Sequence, residues 1–167
     1  HFSPPFIIAL LIALSVHEWA HAWVAHRLGD PTAKEMGRLT LNPIAHLDLM
    51  GTILFFLVGF GWGKPVPIDP RYFRHWKRDT ALVSLAGPVS NLCVAFIAFG
   101  LLMLSSPDTL GGNVRDVLSG NLQGSLRSVF SDIFRISIGL NLGLMAFNLL
   151  PIAPLDGSKI AQVFVPY

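Results

Sequence analysis

The sequence predicts an all-α membrane protein with three transmembrane helices, a short re-entrant or interfacial segment and an extended, edge-like stretch. Three observations carry this reading. Of 167 residues, 52% are apolar and only 13% are charged, about half the charge of a soluble domain. Mean hydropathy is +0.56. Three stretches reach the roughly 20 mainly apolar residues that a bilayer crossing needs. This composition excludes intrinsic disorder, a basic nucleic-acid module and a water-soluble globule. A net charge of +2 points to no polyanionic partner, so the expected surroundings are the lipid bilayer and not nucleic acid. The single cysteine, Cys93, excludes a disulfide framework and, set among apolar residues, reads as an inert buried thiol. The length suits one membrane-embedded unit covering residues 1–167.

The first span is residues 4–28. It has no basic flank at its start and carries charge in its middle, which distinguishes it from a signal peptide. The second and third spans are residues 80–104 and 129–150. Residues 49–62 are apolar too, but too short for a crossing and interrupted by glycine. Basic residues decide their role. Residues 27–48 hold three, residues 63–79 hold five, and residues 105–128 hold two. A spanning 49–62 segment divides them five against five, whereas a segment that dips and returns divides them eight against two. The positive-inside rule favours the second, with both basic segments cytoplasmic and the first and third spans parallel. Residues 61–70 have too many prolines and glycines for a helix and read as extended. Residues 105–128, rich in Gly, Ser and Asn, read as an extracytoplasmic loop.

Within the first span stand His17-Glu18-Trp19-Ala20-His21. Residues four apart share a helix face one turn apart, so two imidazoles can reach one tetrahedral ion. Glu18, beside the first histidine, is placed to take a proton from an attacking water. Three ionisable groups at bilayer depth need compensation, at no less than about 2.5–3.5 kcal/mol each. A divalent cation compensates them by taking the imidazole lone pairs and offsetting the glutamate. The alternative is a polar cluster hydrogen-bonded to neighbouring helices.

A catalytic zinc usually has three protein ligands. His26 falls near the end of the first span, His75 in a solvated basic run, and Asp132 at the wrong depth. His46 and Asp48 precede the short apolar segment, near the surface. Asp156, in Asn148-Leu-Leu-Pro-Ile-Ala-Pro-Leu-Asp156-Gly157, is the best candidate. Two prolines three apart break the third span there, freeing the chain to turn a carboxylate inward. A turn at the membrane surface is the competing reading. Depth gives a check: His17 lies 13 residues after Pro4, about 20 Å down at 1.5 Å per residue. With parallel first and third spans, Asp156 falls in the same, cytoplasmic half.

Together these residues resemble the site-2 protease family of intramembrane zinc metalloproteases, particularly its short bacterial members without a PDZ domain. The matching motifs are His17-Glu-Trp-Ala-His21, Leu41-Asn-Pro-Ile-Ala-His46 with Gly51-Thr52, Gly61-Trp-Gly-Lys-Pro-Val-Pro67, Ala86-Gly-Pro-Val-Ser-Asn91, and Asn148 to Gly157, in family order. The resemblance implies a three-helix catalytic core, zinc held by His17, His21 and Asp156, and Glu18 as general base. It implies that Asn148 helps to hold the substrate or its oxyanion. Many members have further helices around this core, and Ala153 stands where many have proline.

The expected reaction is hydrolysis of a peptide bond within or near a transmembrane segment of a membrane-protein substrate, as in regulated intramembrane proteolysis. The expected location is a bacterial cytoplasmic membrane, with the active site toward the cytoplasmic half. Two imidazoles and a carboxylate suit Zn2+ best among divalent ions. The extended 64–69 stretch offers an edge to which an unwound substrate can add as a strand. Gly87, Pro88, Ser90 and Asn91 serve close helix packing or line a water route. Two rivals remain open. One is a non-catalytic zinc-binding scaffold or sensor; the other is a transporter, against which stand the few helices and the lack of an inverted repeat.

Overall fold

A computed structural model describes residues 2–59, 61–105 and 122–164. Among the described residues, three helices are long and apolar enough to cross a membrane: α1 (Pro4–Arg27), α4 (Trp76–Ser105) and α5 (Leu122–Asn148). Between α1 and α4 lie a one-turn helix α2 (Thr32–Glu35) and the ten-residue helix α3 (Leu49–Val58). After α5 comes the short helix α6 (Asp156–Ala161). The fold class is as the sequence predicts. No named strand occurs among the described residues, and the extended stretch contributes one isolated bridge between Leu47 and Gly63.

That bridge shows the path of the short apolar segment. α1 opens on Pro4 and Pro5, where a missing N–H costs nothing. Beyond α1, buried Asp30 accepts the backbone N–H groups of Thr32 (2.9 Å) and Asp69 (2.8 Å), stitching the loop together. Asp48 then caps α3 by accepting from the Gly51 N–H at 2.8 Å. α3 stops at Gly59, whose φ of 78° is left-handed. Ten residues rise only about 15 Å, half a bilayer core. Leu47 and Gly63 lie antiparallel and the Lys64 N–H donates to the His46 carbonyl at 2.8 Å. The segment therefore ends beside its own start, the path a re-entrant segment needs. Gly51 and Gly61 make the hairpin possible, since a Cβ on either would run into backbone of the opposite arm.

Hydrogen bonds between helices set the order of the bundle. α1 reaches α4 through His17 to Asn91 and through His21 to Val83. Sequence number rises along α1 as it falls along α4, so the two are antiparallel. Asn141 of α5 meets Asn91, and the chain beyond α5 arrives at His17 and His21. α5 thus runs with α1.

The packing is the reverse of a soluble protein's. The buried apolar residues of the helices are mostly alanine: Ala9, Ala13, Ala20, Ala22, Ala25, Ala95 and Ala98. Large side chains face outward, with Leu104 81% and Phe96 67% exposed. Apolar bulk gains nothing by leaving lipid, whereas small residues let helices approach. Cys93 corrects the sequence reading: it is exposed on the outer side of α4, not buried. α4 is apolar all round, so composition could not say which side faces inward. The helices also overrun the predicted spans, α4 starting at Trp76 and α5 at Leu122, because a helix continues into polar residues where the apolar count stops. The predicted extracytoplasmic loop, 105–128, lies largely outside the described residues.

Candidate metal centre

His17 and His21 project from one face of α1 toward α4, each only 6% exposed. Gly87 of α4 gives them room. A Cβ there would sit 2.5 Å from His17 Cε1 and from His21 Nε2. The third group arrives from beyond α5. The chain leaves the helix after Asn148 and turns through residues 149–155. Gly157 then lies so close to the carbonyls of Leu149 and Leu150 that no side chain fits. This folds Asp156 back toward α1. Asp156 Oδ2 lies 3.3 Å from His17 Nε2 and 3.2 Å from His21 Nε2, and the two Nε2 atoms are 3.0 Å apart.

A tetrahedral ion with bonds of about 2.0–2.1 Å needs ligand atoms roughly 3.3 Å apart, so the triangle is close to the required size. Its chemistry points the same way. His21 Nδ1 lies 2.7 Å from the Val83 carbonyl, an acceptor, so the ring donates from Nδ1. His17 Nδ1 lies 2.6 Å from Asn91 Oδ1, another acceptor. A neutral imidazole protonated at Nδ1 presents a bare lone pair at Nε2. Asp156 Oδ2, also buried, has no hydrogen-bond donor. With both rings neutral and protonated at Nδ1, three lone-pair atoms converge in a buried place with no proton among them. Such an arrangement is costly unless a cation occupies its centre, and the residues fit a divalent metal ion.

Glu18, next in the chain, faces the extended stretch. Its Oε2 accepts the Val66 N–H at 3.1 Å. Val66 stands between Pro65 and Pro67, so it has the only backbone N–H of the three. Asn148 is half-buried, and its amide donates to the Leu144 carbonyl of its own helix at 3.0 Å. It is not drawn into the triangle. His46 differs from the sequence reading, being 2% exposed rather than near the surface. Its Nε2 donates to the Thr40 carbonyl (2.7 Å) and its Nδ1 faces buried Arg38. Arg38 also donates to the Lys64 carbonyl, so this pair braces the loop against the extended stretch. Asp48 caps α3. His75 and Asp132 are exposed, and His26 is partly buried in the last turn of α1. Among the described residues, His17, His21 and Asp156 form the sole group of three or more candidate ligands.

Sequence reasoning gave Asn91 a packing or water-route role and passed over Asn141; both prove to stand behind His17. Their signal was an uncharged amide inside an apolar span, which is costly unless bonded. Ser90, by contrast, bonds only the Gly87 carbonyl of its own helix.

A buried group of candidate metal ligands beside a glutamate, among apolar helices of an integral membrane protein, is the arrangement expected of one class of protein, a zinc metalloprotease of the membrane. The comparisons with known proteins narrow it. Peptidase family M50 matches residues 5–166, and the chain belongs to that family. A Bacillus subtilis protein named "Putative zinc metalloprotease YwhC" is 47% identical over 163 residues, covering 98% of this chain and 70% of its own. "Putative zinc metalloprotease Rip2" of Mycobacterium tuberculosis is 33% identical over 158 residues, or 90% of this chain and 53% of its own. "Putative zinc metalloprotease MJ0611" of Methanocaldococcus jannaschii is 33% identical over 162 residues, 94% and 70%. No solved structure matches the chain significantly.

Proposed function

We propose that this chain is an intramembrane protease that hydrolyses peptide bonds within or near transmembrane segments of membrane-protein substrates. In this reading His17, His21 and Asp156 hold zinc and Glu18 is the general base. The observation that carries it is the convergence of two Nε2 lone pairs and an orphaned carboxylate oxygen, all within 3.3 Å of one another, one residue from a glutamate. The family's use of zinc and the names of its relatives support it.

Bound zinc supplies Lewis acidity, bringing the pKa of water toward about 7 and offsetting charge on the substrate carbonyl oxygen. Glu18 takes a proton from water as the water oxygen attacks the carbonyl carbon. It returns that proton to the amide nitrogen as the C–N bond breaks. The Val66 N–H holds Glu18 in place while leaving its other carboxylate oxygen available. A helical amide is shielded by its own hydrogen bonds, so the substrate must unwind first. The extended stretch beside Glu18 offers it an edge, and Asn148, one turn beyond Leu144, is a candidate contact for the substrate. Eight basic residues against two in the flanking segments favour a cytoplasmic setting for the site.

Glu18→Gln should retain zinc and lose cleavage of a model transmembrane substrate by at least about 100-fold, measured on the purified protein in detergent or vesicles. Retained cleavage overturns the base assignment. Asp156→Ala should lose the metal, and wild-type zinc stoichiometry in that variant overturns the ligand assignment. Zinc in the wild type with no cleavage of any transmembrane substrate favours the scaffold or sensor.

A further inference from the structure

We infer that Asn91 and Asn141 are positioning residues for the metal centre. They form a one-way relay of hydrogen bonds that holds the His17 proton on Nδ1 and so keeps its Nε2 lone pair for the ion. The inference rests on the metal centre proposed above.

The direction of the relay follows from its ends. Asn141 Nδ2 lies 2.8 Å from the Ser137 carbonyl, which can only accept. Asn141 therefore turns its Oδ1 the other way, toward Asn91 at 2.7 Å. An oxygen accepts, so Asn91 must present Nδ2 there. The same Nδ2 reaches the Ala13 carbonyl at 3.3 Å, using its second hydrogen. Asn91 Oδ1 is left facing His17 Nδ1 at 2.6 Å, and the ring must donate. Flipping either amide would set oxygen against oxygen, at Ser137 for Asn141 and at Asn141 and Ala13 for Asn91. Both asparagines are fully buried, so water cannot repair the mismatch. The polarity of one backbone carbonyl in α5 is thereby passed through α4 to an imidazole in α1.

His21 provides the contrast. Its Nδ1 donates directly to the Val83 backbone carbonyl, with no side chain intervening. A substitution at Asn141, which touches neither imidazole, should therefore disturb His17 and spare His21. Asparagines that merely glued the helices together would affect both rings alike.

The test uses the full chain in detergent with 15N-labelled histidine, loaded with zinc. The 15N spectrum reports which ring nitrogen carries the proton and which binds the ion. In the wild type both rings should be protonated at Nδ1. Asn141→Leu should give a second population for His17 alone, and zinc affinity by chelator competition should fall about 10- to 100-fold. Asn141→Ser, too short to reach Asn91, should do the same and serves where the leucine variant does not fold. Asn141→Asp, buried and held as the neutral acid, donates its O–H to the Ser137 carbonyl and keeps an acceptor toward Asn91, and should restore both the His17 signal and the affinity. Unchanged His17 and zinc affinity in the leucine and serine variants overturn the inference, as do equal shifts of His17 and His21. A wild type that takes up no zinc overturns the metal centre itself.

Discussion

The proposed ligand triangle and the proposed base beside it are held by different parts of the molecule. His17, His21 and Asp156 are pinned from within the bundle, by α4, by the relay to α5 and by the turn after α5. Glu18 is pinned from outside it, by one backbone N–H of the extended stretch that the re-entrant hairpin delivers. The bundle's interior is alanine, glycine and buried amides, whereas the hairpin shows large apolar side chains outward, Leu57 being 74% exposed. Metal binding and proton transfer should therefore be separable. Damage to the bundle should remove zinc, and damage to the hairpin should slow turnover while zinc stays.

The largest effect is expected at Gly87. In Gly87→Ala the new methyl group meets two ligand rings whose far nitrogens are already fixed, so neither can retreat. Zinc affinity should drop at least about 100-fold, measured by chelator competition; wild-type affinity would show the rings free to shift. The hairpin counterpart is Gly61→Ala, whose Cβ would overlap the Gly51 carbonyl. Displacing the extended stretch leaves Glu18 unsupported, and kcat should fall by up to about 100-fold with full zinc occupancy. Zinc lost in step with activity would erase the distinction between the two supports. The smallest effect belongs to Val66→Pro, which removes a single hydrogen bond from a segment already extended between prolines. A bond to a charged group is worth about 1.5–3 kcal/mol, discounted here because Glu18 is only partly buried. The expectation is a loss of tenfold or less in kcat, with KM little changed. No change would mean that Glu18 is positioned by something other than Val66.

Much of this architecture was legible in advance, for a physical reason. Lipid demands long apolar helices, and the two-against-eight division of basic residues favoured a 49–62 segment that returns. The bridge between Leu47 and Gly63 agrees with that. His17 and His21 were legible because helical spacing is local. Asp156 was legible as a candidate because two prolines advertise a broken helix. Cys93 was misread because an all-apolar helix carries no pattern to orient it. His46 was misread because its burial depends on Arg38 and Thr40 folding over it, contacts made by a loop without periodicity.

From residue order alone came the medium, the number of crossings, the pair of imidazoles and the adjacent glutamate, all consequences of local spacing and of transfer between water and lipid. Which nitrogen of each imidazole faces the ion depended on folding. It is set by the Asn91 amide and the Val83 carbonyl, 74 and 62 positions away along the chain from His17 and His21. A hydrogen bond's direction is fixed by what lies at its far end, and for both imidazoles that end lies in another helix.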